Sequence, residues 1–287
     1  MKKNILVPLI TPFNKDYSVN YKKLKELVAF NLGKGADGFY VGGSSAECFL
    51  LTVEERKKIL ETVVEHANGS YVIAHIGNIG TDMSINLAKH AEMVGANGIS
   101  SVPPFYFNFG YPQIKGYFDD LANATNLPLT IYSIPALTGK SFTTSEMVRL
   151  LDNPKIDSMK YTDTNYYALG QLKAESGKFI YSGCDECFIS ALVQGADGAI
   201  GTNFNFMVDK FVKAFNSFKS GNIQAAIEEQ ERINKVIRGV LDNGLIDCVK
   251  YLTTLFIGDV GDCRKPFLPL SSEKKKNLEN LAKKYLL

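Results

Sequence analysis

An amine, a phenol and several hydroxyls stand at the ends of short apolar runs in this chain, and together they suit carbonyl chemistry. Lys160 closes the run Ile156-Asp157-Ser158-Met159-Lys160. A lysine in partly apolar surroundings loses hydration of its ammonium, which favours the free amine, and a free amine attacks a carbonyl to form a Schiff base. Tyr132 lies near the end of the preceding run, so its phenol can approach Lys160 and relay a proton. Ser44 and Ser45 follow Gly42-Gly43, where hydroxyls and backbone N–H groups can cup a carboxylate or another anion. Each has a plainer reading too: a surface lysine, a core tyrosine with a satisfied hydroxyl, an ordinary Gly-Ser turn.

Other chemistries find less support. Cys184-Asp185-Glu186-Cys187 has the spacing of a thiol redox pair, but two carboxylates between the thiols disfavour the thiolate that such a pair needs. No second Cys-x-x-Cys and no histidine pair at zinc spacing accompanies it, so no metal site is expected. His66, His75 and His90 are expected to lie far from the lysine and receive no role. Lys250 sits in Cys248-Val249-Lys250-Tyr251, which reads as helical and outside the sheet. Gly201-Thr202-Asn203 has the position of a phosphate loop without basic or Gly-rich reinforcement.

The elements that must position these residues alternate in type. Candidate strands are Ile5–Ile10, Gly38–Gly42, Tyr71–Ile76, Gly98–Val102, Leu127–Ser133, Ile156–Lys160, Phe179–Ser182 and Gly198–Gly201. Helical patterns separate them, such as Tyr21, Leu24, Leu27, Val28 and Leu32 on one face. Thr52 with Glu55, and Thr143 with Glu146, fit capping boxes at helix starts. Strand and helix in alternation with short connections predict a parallel sheet. Gly35-Ala36-Asp37-Gly38, Gly95-Ala96-Asn97-Gly98 and Gly195-Ala196-Asp197-Gly198 recur before the second, fourth and eighth strands. Recurrence at multiples of one βα unit predicts a closed (β/α)₈ TIM barrel, and the first Gly of each suits a left-handed helix stop. Beyond Thr202 only helical periodicity remains. The expectation is one α/β domain, residues 1–287, with a barrel over about 1–220 and a C-terminal helical appendage over about 221–287.

Composition removes whole classes. With 32 Lys+Arg against 30 Asp+Glu the net charge is +2, so no electrostatic footprint points to nucleic acid or an anionic membrane. The 45% of hydrophobic residues is ample for a core. No apolar run has the length of a membrane span, and the N-terminus lacks the pattern of a signal peptide. Five cysteines without such a leader read as reduced thiols, hence a cytoplasmic protein.

Taken in order, three motifs resemble those of the N-acetylneuraminate lyase and dihydrodipicolinate synthase superfamily of class I aldolases. They are Gly42-Gly43-Ser44-Ser45-Ala46-Glu47, Ile131-Tyr132-Ser133-Ile134-Pro135-Ala136-Leu137-Thr138-Gly139 and Met159-Lys160-Tyr161-Thr162, and the likeness runs from about Leu6 to Leu270. The resemblance implies that Lys160 is the Schiff-base lysine and Tyr132 the proton-relaying phenol. It implies that Ser44 and Ser45 hold the pyruvyl carboxylate, with Ser44 also in the relay, and that Tyr106 crosses from a neighbouring subunit of a homotetramer to complete it. Dihydrodipicolinate synthases place an arginine where Leu137 stands, and leucine cannot bind their second substrate carboxylate. Pro135-Ala136-Leu137 is similar to the sialic acid lyase branch, as is Ser182-Gly183-Cys184-Asp185-Glu186. Asp185 and Glu186 would bind polyol hydroxyls there, and Thr162, Gly183 and Thr202 would add contacts.

Two positions depart from the pattern. Ala46 replaces the usual glycine, which strains the turn if that position needs positive φ. Thr202 replaces the usual serine and adds a methyl. The activity implied is Schiff-base cleavage of sialic acid to N-acetylmannosamine and pyruvate, with no metal or nucleotide cofactor. The alternatives are another pyruvate-dependent 2-keto-3-deoxy sugar acid aldolase, a dihydrodipicolinate synthase-like enzyme, a non-catalytic metabolite-binding barrel and, most distantly, a thiol oxidoreductase.

Overall fold

Short buried strands alternate with amphipathic helices, and the strands close on themselves. The computed structural model describes residues 3–287. The strands are β1 (Ile5–Pro8), β2 (Gly38–Val41), β3 (Tyr71–His75), β4 (Gly98–Ser101), β5 (Leu129–Ser133), β6 (Ile156–Tyr161), β7 (Phe179–Ser182) and β8 (Gly198–Ile200). They pair in sequence order, and β8 pairs with β1 to complete a parallel barrel. The helices between them are α1 (Tyr21–Gly33), α2 (Val53–His66), α3 (Thr81–Met93), α4 (Tyr111–Asn123), α5 (Pro135–Thr138), α6 (Thr144–Leu150), α7 (Tyr166–Ser176) and α8 (Phe188–Val193). After β8 come α9 (Phe204–Lys219), α10 (Ile223–Leu241), α11 (Ile246–Ile257) and α12 (Ser272–Tyr285). This is the TIM barrel with a helical C-terminus that the alternation predicts.

Period-two alternation sorts each strand into two faces. Leu6, Tyr40, Ile73, Tyr132, Tyr181 and Ile200 fill the barrel interior. Val7, Phe39, Val72 and Ile131 face the helical ring. The predicted capping boxes form at Thr52 and Thr143, each with its Glu three residues on. Strand limits differ from expectation by at most two residues, and those of β7 not at all. β5 begins at Leu129 rather than Leu127, because Pro128 has no N–H to give to a ladder. β6 runs one residue further, to Tyr161.

The repeated tetrapeptide proves to have two uses. Gly35, Gly95 and Gly195 have φ of 90°, 85° and 98°, the left-handed stop expected of them. The third residue then pins the neighbouring strand. Asp37 Oδ2 accepts from Ile5 N at 2.9 Å, Asn97 Oδ1 from Val72 N at 2.8 Å, and Asp197 Oδ2 from Ile180 N at 2.8 Å.

One irregularity bears directly on the chemistry. The β5–β6 ladder pairs Leu129 with Ile156 but Thr130 with Ser158, so a bulge falls at Asp157. Ile156 faces the helices, and so do Met159 and Tyr161. The extra residue shifts the alternation and turns Lys160 to the interior, opposite Tyr132. Among the described residues no helix is long and apolar enough to cross a membrane.

Candidate active site

Lys160 lies near the C-terminal end of β6 and is only 4% exposed. Its Nζ is 4.0 Å from the Tyr132 ring centroid and 5.1 Å from that of Tyr40. The Tyr40 and Tyr132 rings meet edge to face at 6.0 Å, forming an aromatic corner around the amine. Tyr40 is anchored in turn, its hydroxyl donating to Ser100 Oγ at 2.9 Å.

The loop after β7 closes the other side. A Cβ at Gly183 would collide with Thr162 Oγ1 and would lie 3.2 Å from Lys160 Cε. Only glycine lets this backbone approach the lysine. Thr162 Oγ1 is buried without a hydrogen-bond partner, so a hydroxyl stands ready beside the amine. Asp185 follows on a single turn of 3₁₀ helix, Asp185–Cys187. Its Oδ2 accepts from Asn203 N and Nδ2, both at 2.8 Å. Burial raises its pKa to about 6, against the pull of those two donors. Gly201 must lack a Cβ because one would strike Asp185 Oδ1. Glu186 is half-buried, and its main-chain carbonyl accepts from Asn234 Nδ2 at 2.9 Å.

Ser44 and Ser45 occupy a 3₁₀ turn, Ser44–Ala46, after β2. Ser45 Oγ and Thr202 Oγ1 share a hydrogen bond of 2.8 Å, which joins the loops after β2 and β8. The Thr202 hydroxyl thus has Ser45 as one of its partners. Ser44 borders a cavity of about 360 Å³ whose apolar wall includes Val102, Phe105, Ile134 and Leu137. The alanine at 46 brings no strain. The left-handed residue of this loop is the next one, Glu47, at φ 58°. Tyr106 does not join its own site: it is 85% exposed, on a loop after β4, at φ 77°.

One expectation fails. His75 is not remote from the lysine, since its ring lies 6.2 Å from that of Tyr132 and 6.0 Å from that of Tyr40. The alternation carried the signal: Ile73 faces the interior, so His75 two residues on must too. Its Nδ1 is 2.9 Å from the Gly42 carbonyl, which can only accept, so Nδ1 carries the proton. Burial, then the nearby Arg56 charge, lowers its pKa to about 3. Arg56 donates to the His75 and Gly77 carbonyls at 2.9 and 3.1 Å and fixes the end of β3. His90 instead lies on α3, with Nε2 3.1 Å from Glu61.

Of two other candidates, one lies on the C-terminal helices and the other flanks Asp185 and Glu186 in the loop after β7. Lys250 is on α11 as expected, but is buried, and its Nζ donates to Glu47 Oε1 at 2.9 Å. Cys184 and Cys187 are free thiols. Burial, then the charges of Glu186 and Asp185, raises the pKa of Cys184 to about 12, unsuited to thiolate chemistry. Among the described residues no group of three His, Cys, Asp or Glu side chains is arranged to hold a metal ion.

A closed parallel barrel with its reactive side chains at the C-terminal strand ends, one of them a buried amine against a phenol, defines a carbon–carbon lyase of the class I aldolase type. The sequence pattern of the Dihydrodipicolinate synthetase family matches residues 1–285, and the chain belongs to that family. It is 36% identical over 287 residues to the N-acetylneuraminate lyase of Fusobacterium nucleatum, covering 99% of both chains. A crystal structure of that species' enzyme complexed with pyruvate superposes with a TM-score of 0.94 at 35% identity, covering 99% of this chain and 97% of the other. CdNal from Clostridium difficile, in complex with mannosamine, superposes with a TM-score of 0.96 at 33% identity, covering 99% of both chains.

Proposed function

We propose that this chain cleaves N-acetylneuraminate to N-acetylmannosamine and pyruvate through a Schiff base at Lys160. The observation that carries the reading is the pairing of Tyr132 with Lys160 in one register of the barrel interior, with the amine against the phenol ring. The names of the relatives support the choice of substrate. The Lys160 amine attacks the C2 ketone, water leaves, and an iminium forms. The C3–C4 bond breaks and its electron pair enters the iminium, giving an enamine instead of a free carbanion. Tyr132, together with Ser44, takes the C4 hydroxyl proton as N-acetylmannosamine leaves. Protonation at C3 and hydrolysis then release pyruvate and restore the lysine.

Ser44 and Ser45 hold the carboxylate of the substrate. Thr162 and Gly183 contact its hydroxyls next to the imine, and Asp185, Glu186 and Thr202 line its polyol tail. The free Thr162 hydroxyl supports its role. Tyr106 reaches the relay of a neighbouring copy in a homotetramer, a role its exposure supports. The five free cysteines fit a reducing, cytoplasmic setting.

The test is borohydride reduction in the presence of pyruvate, followed by mass mapping, beside a pyruvate-release assay with N-acetylneuraminate. The label belongs on Lys160, and Lys160→Ala should neither trap nor release pyruvate. A label on any other lysine sinks the mechanism. A preference for short 2-keto-3-deoxy acids over N-acetylneuraminate sinks the substrate.

A further inference from the structure

A buried ion pair joins the C-terminal helices to the loop that carries the two serines. Glu47 and Lys250 have side-chain exposures of 0% and 2%, and they meet at 2.9 Å across 203 residues of sequence. Glu47 is the hinge between two 3₁₀ turns, Ser44–Ala46 and Cys48–Leu50, and sits in the left-handed region at φ 58°, ψ 37°. That conformation is unusual for a side chain of this size, and persists only where surroundings over-determine it. Here they do. Glu47 Oε2 accepts from Arg264 N at 2.7 Å, while Lys250 also donates to the Asp262 carbonyl at 3.0 Å. Lys250 Nζ lies 4.2 Å from the Phe13 ring centroid. Just before the hinge, the Ala46 carbonyl accepts from Thr11 Oγ1 at 2.8 Å.

Desolvating two charges is costly, so a hydrophobic pair of similar volume would stabilise the fold at least as well. A pair of this kind is better explained by what it specifies than by stability. Here the pair ties the hinge that follows Ser44 and Ser45 to α11.

We propose that Glu47 and Lys250 are positioning residues for substrate-carboxylate binding, so that the C-terminal helices clamp the serine loop from outside the barrel. The inference rests on the reading that Ser44 and Ser45 hold that carboxylate. With the pair intact, the hinge is fixed and the hydroxyls are preorganised. With one partner removed, the other charge must find water, the hinge relaxes, and the serines lose their aim while Lys160 and Tyr132 keep theirs.

The experiment measures half-saturation by pyruvate in borohydride trapping at Lys160, alongside thermal unfolding. The variants are Lys250→Met, Glu47→Gln, Ser44→Ala and Ser45→Ala. Lys250→Met should raise half-saturation on the order of tenfold, with the maximal trapping rate largely kept, as for a misplaced binding group. Glu47→Gln, which keeps an acceptor for the Arg264 N–H, should raise it less. In Ser45→Ala/Lys250→Met the two effects should fall short of additive, because both act on one contact. A folded Lys250→Met that traps pyruvate like wild type, while the serine variants do not, overturns the clamp alone. Serine variants that both trap like wild type overturn the carboxylate reading instead. Should Lys250→Met fail to fold, Glu47→Gln/Lys250→Met leaves no unpaired charge and is read in the same way.

Discussion

Tyr132 and Lys160 are register partners on adjacent strands, and the lysine Nζ lies 4.0 Å from the centre of the tyrosine ring. Two residues 28 positions apart in sequence thus share one wall of the barrel mouth. The phenol is held by its neighbours Tyr40 and His75, both edge-on or nearly so. Such packing fixes the ring without using its hydroxyl.

Tyr132→Phe should therefore separate imine formation from cleavage. Trapping of pyruvate at Lys160 should persist, while kcat for N-acetylneuraminate falls by about 10²- to 10⁴-fold, the usual worth of a positioned acid–base group. Stopped-time pyruvate release beside borohydride trapping checks it. Equal loss of both would make Tyr132 a packing residue.

Asp185 predicts a pH dependence of substrate binding. Its folded pKa is raised to about 6, chiefly by burial, so it is a neutral acid below that pH and a carboxylate above it. A carboxylate accepts from polyol hydroxyls more strongly than a carboxylic acid does. KM for N-acetylneuraminate should rise as pH falls through about 6. In Asp185→Asn, KM should be high at all pH values without that limb. Steady-state kinetics from pH 5 to about 8 would show it.

His75 predicts a pH dependence of stability with a definite sign. The unfolded chain protonates this imidazole near 6.5, whereas the folded protein resists until about 3. Below 6.5 the unfolded state binds the extra proton, so stability is lost as pH falls, by up to about 1.4 kcal/mol per pH unit. Urea unfolding of wild type and His75→Asn should give a stability difference that shrinks or reverses from pH 7 to about 4.5. A difference independent of pH would mean that His75 takes up its proton in the fold as easily as outside it.

Gly183→Ala should damage the site without removing a polar group. The added methyl meets Thr162 Oγ1 and then Lys160 Cε, so both must move. A drop in kcat/KM of at least about tenfold is expected, with thermal stability little changed relative to the loss of activity. Activity within error of wild type would show that the lysine does not need this close approach.

The sequence determined a good deal unaided. Period-two runs, helix caps and the recurring Gly-Ala-Asp/Asn-Gly connection specify eight βα units, because each is local chemistry that needs no distant partner. The motifs also placed Lys160, Tyr132, Ser44, Thr162 and Asp185 at or just after strand ends, and the barrel sets Tyr132 and the Thr162–Gly183 contact beside Lys160. What stayed hidden depends on contacts between distant segments. His75 belongs to the mouth only because β3 curves toward β5, and Glu47 finds Lys250 only after the final helices fold back over the barrel. Above all, strict alternation from Ile156 would have turned Lys160 outward, toward the helices. The bulge at Asp157 reverses that parity, and only the pairing of β6 against β5 creates it. The lysine is legible in the sequence; the face it presents is decided by the register of its neighbour, because an unpaired strand has no bulge.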